Sequence, residues 1–396
     1  MADRLALDGG TPVRATPLPY SRQSVDEDDV RAVAAALRSE WLTTGPLVGA
    51  FERAVAEASG AAHAVAVSSG TAALHAAVSA AGIGPGDEVV LTPMTFVASA
   101  NAVLYCGGVP VFADVRPDTL TLDPDAAEAR VTGRTKALLP VDFAGQPCDA
   151  DRFDAVARAR RLTVIQDSAH SLGGEYRGRR VGSLADLTTF SFHPAKLVTT
   201  GEGGAVTTNR DDLAARLRRF RNHGFDTDFR ERQARGEVYS PMVELGFNYR
   251  LTDLQCALGL SQLAKAEGFL KRRTQIAEHY RAELKELSAV SAPAVDPAVR
   301  HGWHIFPLLL DLERLSADRR TVVAALRAEN IGVAVHYVPA YWHPYYEGLG
   351  YRRGLCPRAE SAFERLVTLP LFAAMSEADV DDVVAALRKV LGHYLR

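Results

Sequence analysis

The stretch Ala62–Pro93, AHAVAVSSGTAALHAAVSAAGIGPGDEVVLTP, decides the fold. AHAVAVSS is a short apolar run closed by serines, the pattern of a strand buried on both faces. GTAALHAAVSAAGI has small residues at helical spacing and runs out near Gly84-Pro85-Gly86, which cannot continue a helix. DEVVLTP is again strand. The same alternation continues outward, with TFVASANAVLYCGG and DADRFDAVARARRL as helices among the strands VPVFADV, KALLPVDF and TVIQDSA. LTTFSF and GGAVTTN read as a closing pair of strands. Strands separated by helices specify an α/β fold whose largely parallel sheet is covered on both faces.

Ahead of this region, a polar arm leads into SVDEDDVRAVAAALRSE, a helix opened by Ser and acidic residues. From Leu251 the pattern changes to one long helical run, a loop (SAPAVDPAVRHG), a strand (HIFPLLLDL), a helix (SADRRTVVAALRAENI), a strand (GVAVHYVP) and two closing helical runs. The expected division is an N-terminal arm at 1–25, a large domain at 26–250, and a long linking helix with a smaller α+β domain at 251–396.

Charge is nearly balanced, 45 Lys+Arg against 48 Asp+Glu for a net −3. No long-range field therefore favours nucleic acid or an anionic membrane, and RLRRF reads as a solvated helix face. Cys106, Cys148, Cys256 and Cys356 are scattered without CxxC or nearby His, so free thiols and no metal site are expected. No run of about 18 apolar residues and no basic-then-apolar leader is visible, which makes the cytoplasm the expected location.

In parallel sheets ligands collect beyond the carboxyl ends of strands. After the first strand, Ser68-Ser69-Gly70-Thr71-Ala72 opens a helix with a glycine for close approach, N–H groups and a hydroxyl, a candidate phosphate cradle or a plain N-cap. Phe96 is a core residue or a stacking plate. Asp167 ends an apolar strand, where a buried carboxylate needs a cationic partner or a capping role. Then come Ser191, His193 and Lys196. Pyridoxal 5'-phosphate (PLP) uses all of these features: donors for its phosphate, a plate for its ring, an acid for its ring nitrogen, and a lysine for its aldehyde.

The chain resembles the DegT/DnrJ-type family of PLP-dependent sugar aminotransferases in WLTTGPLV (41–48), SSGTAAL (68–74), TPMTFVAS (92–99), DSAHSLG (167–173), SFHPAKLVTTGEGGAV (191–206), GFNYRLTDLQCALG (246–259) and VHYVP (335–339). The resemblance implies the aspartate aminotransferase-like fold (fold type I), a seven-stranded mostly parallel sheet, and a homodimer. It implies that Ser69, Gly70, Thr71 and Ser191 hold the phosphate, Phe96 stacks on the ring, and Asp167 pairs with the ring nitrogen. His170, glutamine in some members, stands beside the phenolic oxygen, and Lys196 forms the Schiff base. Asn248 is expected to reach the cofactor of the partner subunit. A branch of the family carries histidine for the lysine and dehydrates sugars; this chain keeps Lys196, which implies amino transfer.

The expected reaction runs from an amino donor, L-glutamate in the family, through pyridoxamine phosphate to the keto group of a nucleotide-linked keto-deoxy sugar. SFHPAKLVTTGEGG and VHYVPAYWHPYY resemble the subgroup that aminates carbon 4 of UDP-4-keto-6-deoxy-N-acetylhexosamines. Thr43, His193, Arg250, His336 and Tyr337 are the candidate sugar-nucleotide contacts; an aromatic cluster such as His336 and Tyr337 more often serves packing, and a structural salt bridge suits Arg250 equally. The alternatives are carbon 3 or a dTDP- or GDP-linked sugar, a PLP-binding regulator without turnover, and a sugar-binding protein without PLP.

Overall fold

The computed structural model describes residues 4–227, 232–234 and 236–396; residues 1–3 of the expected arm, and 228–231 and 235 of the expected large domain, lie outside the described residues. Its centre is a seven-stranded sheet of β1 (His63–Val67), β2 (Glu88–Leu91), β3 (Val109–Phe112), β4 (Thr135–Leu139), β5 (Thr163–Asp167), β6 (Leu187–Ser191) and β7 (Gly204–Thr208), in the order β1-β7-β6-β5-β4-β2-β3. The pairs β2–β3, β2–β4, β4–β5 and β5–β6 are parallel. Only β7 runs against its neighbours β6 and β1. That reversal has a consequence for the site. The first residue of β7, Gly204, pairs with the last residues of both β6 (Ser191) and β1 (Val67), so three chain segments meet at one edge.

Helices α1 (Glu27–Leu37), α2 (Pro46–Ser59), α3 (Gly70–Ala80), α4 (Ala98–Tyr105), α5 (Pro124–Ala129), α6 (Ala150–Arg160) and α7 (Asp211–Arg221) accompany the sheet, and α8 (Asp253–Glu283) leaves it. The Ala-rich sequence of α3 explains its burial, since small side chains let the helix sit close against the strands. A Thr252/Gln255 capping box starts α8. The buried Asp253 beside it accepts from the N–H groups of Gly45 and Leu47, so the α8 start also caps α2.

A second core gathers Ile276 and Tyr280 of α8 with Phe306, Leu308, Val322, Leu326, Val367 and Leu387. Leu5 and Leu18 of the N-terminal arm join this core, and Glu329 accepts the N–H groups of Ala6 and Val13 while pairing with Lys389. The antiparallel strands here are Val290–Ser291, Phe306–Leu310 and Leu366–Leu369. GVAVHYVP is not one of them, contrary to the expectation. It exchanges one pair of main-chain hydrogen bonds, Ala334 with Thr368, because its next residues turn away: His336 bonds the Thr368 hydroxyl and Tyr337 reaches His170. The chain also closes with three helices (Pro344–Gly348, Pro357–Arg365, Glu377–Tyr394), not two. Among the described residues, no helix is long and apolar enough to cross a membrane.

Candidate active site

Gly70 opens α3, with Ser69 as its cap accepting the Ala72 N–H at 3.0 Å. The next N–H groups of the first turn have no helical acceptor and suit an anion. A Cβ on Gly70 would lie 2.7 Å from Cβ of Ser191, so glycine is required for the end of β6 to close on the helix start. Gly204 is equally constrained, with its missing Cβ 2.4 Å from the Ser69 carbonyl oxygen. Ser69, Gly70, Thr71 and Ser191 thus form one cradle, all half-buried.

Asp167 ends β5 and is 5% exposed. Its carboxylate accepts from the Ser99 hydroxyl at 2.6 Å and the Ala169 N–H at 3.1 Å. Ser99 has one hydrogen and gives it to Asp167, so Thr95, 2.6 Å from Ser99, donates to Ser99 in turn. Burial pushes the Asp167 pKa up, while these donors and the charge of Lys196 oppose the rise. Both hydrogen bonds come from neutral groups, and a cationic ring N–H is the missing complement.

Lys196 follows β6 in a turn closed by its own N–H to the His193 carbonyl. Desolvation pushes its pKa down to about 8; Asp167 works against this and Arg273 with it. The amine is therefore largely neutral just above that pH, the form that acts as nucleophile and base. Nζ lies 3.4 Å from Nε2 of His304. His170, after β5, is 3.1 Å from the Tyr337 hydroxyl and packs its ring against His304, centroids 4.2 Å apart. Phe96 is 58% exposed, unusual for a ring at a helix start, and its centroid is 6.2 Å from that of Tyr337. An accessible aromatic face beside the cluster is what a stacked planar ligand requires.

This set fits PLP: a cradle that a single Cβ would fill, an open ring face, a buried carboxylate lacking a cation, and a lysine driven toward its neutral form. Phosphate contacts would fall to Ser69, Gly70, Thr71 and Ser191, the ring nitrogen to Asp167, the ring face to Phe96 and the aldehyde to Lys196.

Residues 23–388 match the DegT/DnrJ/EryC1/StrS aminotransferase family. The chain belongs to that family. It is 41% identical to the Bacillus subtilis spore coat polysaccharide biosynthesis protein SpsC over 94% of this chain and 97% of that one. Helicobacter pylori PseC, an aminotransferase involved in pseudoaminic acid biosynthesis, superposes with a TM-score of 0.89 at 30% identity, covering 96% of this chain and 100% of that chain. Streptococcus pneumoniae Spr1654 in its PLP form gives the same TM-score, identity and coverage. This DegT-family chain is thus a PLP-dependent sugar aminotransferase with the type I fold.

Sequence reasoning missed several residues of the DegT-family site. Ser99 in the first turn of α4 and Thr95 in the bend ahead of it meet through their hydroxyls, a contact without a visible partner in the sequence. Asp142 is fully buried behind Asp167 and accepts from Gln166, Ser168, Ser171 and the Cys148 N–H, fixing the loop that carries His170. Arg273 of α8 is buried and donates to the carbonyls of Trp303, His304 and Leu371. Of the candidate sugar contacts, His336 and Tyr337 stand at the cluster. His193 is exposed, and its ring accepts from the Ala195 N–H of its own turn. Thr43 and Asn248 are exposed, Thr43 bridging to Thr252 and Asn248 to Asn222. Arg250 donates to the Asn222 side chain at 2.7 Å. In RLRRF, Arg216 and Arg218 are exposed and Leu217 and Phe220 are buried, as a solvated helix face requires; Arg218 and Arg219 also line a cavity of about 540 Å³ together with Arg221, Thr44 and Arg250.

Ser99→Ala removes the one side-chain donor on Asp167 among the described residues. Its expected effect is a 10- to 100-fold weaker hold on PLP, the scale of one hydrogen bond to a charged group, read by titrating the apoprotein with cofactor.

Proposed function

We propose that this sugar aminotransferase moves the amino group of L-glutamate to carbon 4 of a UDP-4-keto-6-deoxy-N-acetylhexosamine, in a cytoplasmic homodimer whose two subunits share each site. When bound, PLP supplies the aldehyde that carries the amino group and a protonated ring that draws electrons from the reacting carbon. Asp167 holds the ring nitrogen in its protonated form, and Phe96 and the Gly70–Thr71 cradle fix the ring plane. Nζ of Lys196 takes the proton from the amine-bearing carbon of the donor and returns one to the sugar carbon that receives the amine. Tyr337 and His336 close the small-lobe side, where they are placed to meet the sugar.

The observation that carries this reading is the location of the cations. The charged groups acting on Lys196 are Asp167 and Arg273, and Arg273 is occupied with main-chain carbonyls. A nucleotide diphosphate needs other cations. Arg218 and Arg250 line one cavity near the exposed Asn248, beside Arg219 and Arg221, which pair with Glu244 and Glu52, an arrangement that suits binding across a dimer. Val238, Tyr239, Met242, Val243 and Leu245 are all more than half exposed on the preceding segment, an apolar face suited to a second copy. The likeness to PseC, whose pathway builds pseudoaminic acid, supports the choice of sugar. We propose the division into 1–25, 26–250 and 251–396 as the working domain boundaries.

The test is a panel of UDP-, dTDP- and GDP-linked 4-keto and 3-keto sugars with L-glutamate, with the new amine located by NMR. Fastest turnover on the UDP 4-keto N-acetyl sugar, with the amine at carbon 4, is expected. Amination elsewhere or faster turnover of another nucleotide contradicts the substrate assignment. Absence of 2-oxoglutarate with every sugar points to a PLP-binding regulator.

A further inference from the structure

His304 precedes the strand Phe306–Leu310 and lies 108 residues from Lys196 in sequence, yet its Nε2 is 3.4 Å from Nζ. Its backbone is pinned: the N–H bonds the Ala144 carbonyl at 2.9 Å, and its own carbonyl accepts from Arg273 at 3.0 Å. The other ring nitrogen, Nδ1, is buried and has no hydrogen-bond partner among the described residues.

A neutral imidazole carries one N–H, and burial pushes the His304 pKa well below its ordinary value, keeping the ring neutral. With the hydrogen on Nδ1, a donor would be stranded in a buried position. With it on Nε2, only a lone pair goes unmatched, the more tolerable defect. The Nε2 hydrogen then points toward Nζ, and an ammonium group has no lone pair to accept it. We propose that His304 is a positioning residue for Lys196, donating its Nε2–H to the lone pair of Nζ and so holding the amine neutral and aimed. This rests on the reading of Lys196 as the reacting amine. At 3.4 Å the contact is longer than an ordinary hydrogen bond, and its effect is correspondingly modest.

Other groups set the background. Asp167 at the end of β5 favours the ammonium form, and Arg273 of α8 opposes it. His170 from the loop after β5, with His336 and Tyr337 from the small lobe, completes the polar surroundings. A change at His304 has to be read against all of them.

The experiment is competitive acetylation of the full-length apoprotein across pH, with the reactivity of each lysine followed by mass spectrometry. Lys196 of the unaltered protein should titrate near pH 8. His304→Leu removes the donor and leaves the surroundings more apolar. The proposal requires the midpoint to rise, by about 0.5 to 1 unit. If burial alone set the amine, or if His304 accepted from the ammonium, the midpoint would stay or fall, and either result overturns the proposal. His304→Gln, whose amide N–H reaches toward the Nε2 position, should restore the original midpoint within about 0.3 unit. Should the leucine variant not fold, His304→Asn takes its place, because its shorter amide stops near the Nδ1 position. A raised midpoint in Asn with a normal one in Gln supports the proposal; equal midpoints overturn it. Failure of the wider reading shows elsewhere, as PLP attached to a different lysine, and leaves this titration unaffected.

Discussion

Lys196→Ala should remove the covalent attachment of PLP and lower transamination by about 10³-fold or more, within the range set by losing a positioned acid–base group. The substitution deletes one desolvated amine from a half-buried position and breaks no ion pair among the described residues, so the protein should stay folded. The other lysines are poor substitutes. Lys265 is paired with Asp26 and Asp29 at 2.8 Å, and Lys389 with Glu329. The measurement is turnover to 2-oxoglutarate beside a thermal melt of the same preparation. Retention of full activity by a folded variant would falsify the assignment of the reacting amine.

Asp167→Asn should separate activity from stability. The asparagine keeps an oxygen to accept from Ser99 or Ala169, but it cannot hold a ring nitrogen protonated. The expected loss in kcat is about 10²-fold or more, the scale of removing one preorganised electrostatic partner. Stability should move the other way. The folded-state pKa of Asp167 is raised by burial, so the folded chain binds this proton more tightly than the unfolded chain. Its contribution to stability is present at low pH and is lost as pH rises through the ordinary carboxylate value to the raised one. Above the raised value the apoprotein carries the penalty in full, and the neutral asparagine relieves it. Apo-Asp167→Asn should therefore melt no lower than the original protein near pH 7.5. A clear drop in melting temperature together with unchanged kcat would remove the proposed role.

The parts of the site that were legible in the sequence are those where local pattern and chemistry coincide. Asp167 ends an apolar strand and Gly70-Thr71, Phe96 and Lys196 follow one, and the topology of parallel sheets places such ends together. His304, Arg273 and Asp142 were not legible, because their roles depend on contacts across long sequence separations. A histidine before an apolar strand carries no local mark of the lysine it touches. The edge strand was missed for a similar reason. GVAVHYVP has the better β-branched pattern, but it meets the edge strand Leu366–Leu369 only at Ala334 with Thr368, and beyond that point Tyr337 leads to His170. Thr43 meets Thr252, and Asn248 and Arg250 meet Asn222, while Tyr249 between them accepts the Ser68 N–H at the start of the cradle, contacts that motif spacing does not reveal.

The central claim is that Lys196 is the residue to which PLP is bound. The direct measurement is reduction of the loaded protein with borohydride, followed by digestion and mass mapping of the pyridoxyl group over all six lysines. The expected result is a single modified peptide carrying Lys196. A pyridoxyl group on Lys136, Lys265, Lys271, Lys285 or Lys389, or on none of them, would contradict the account.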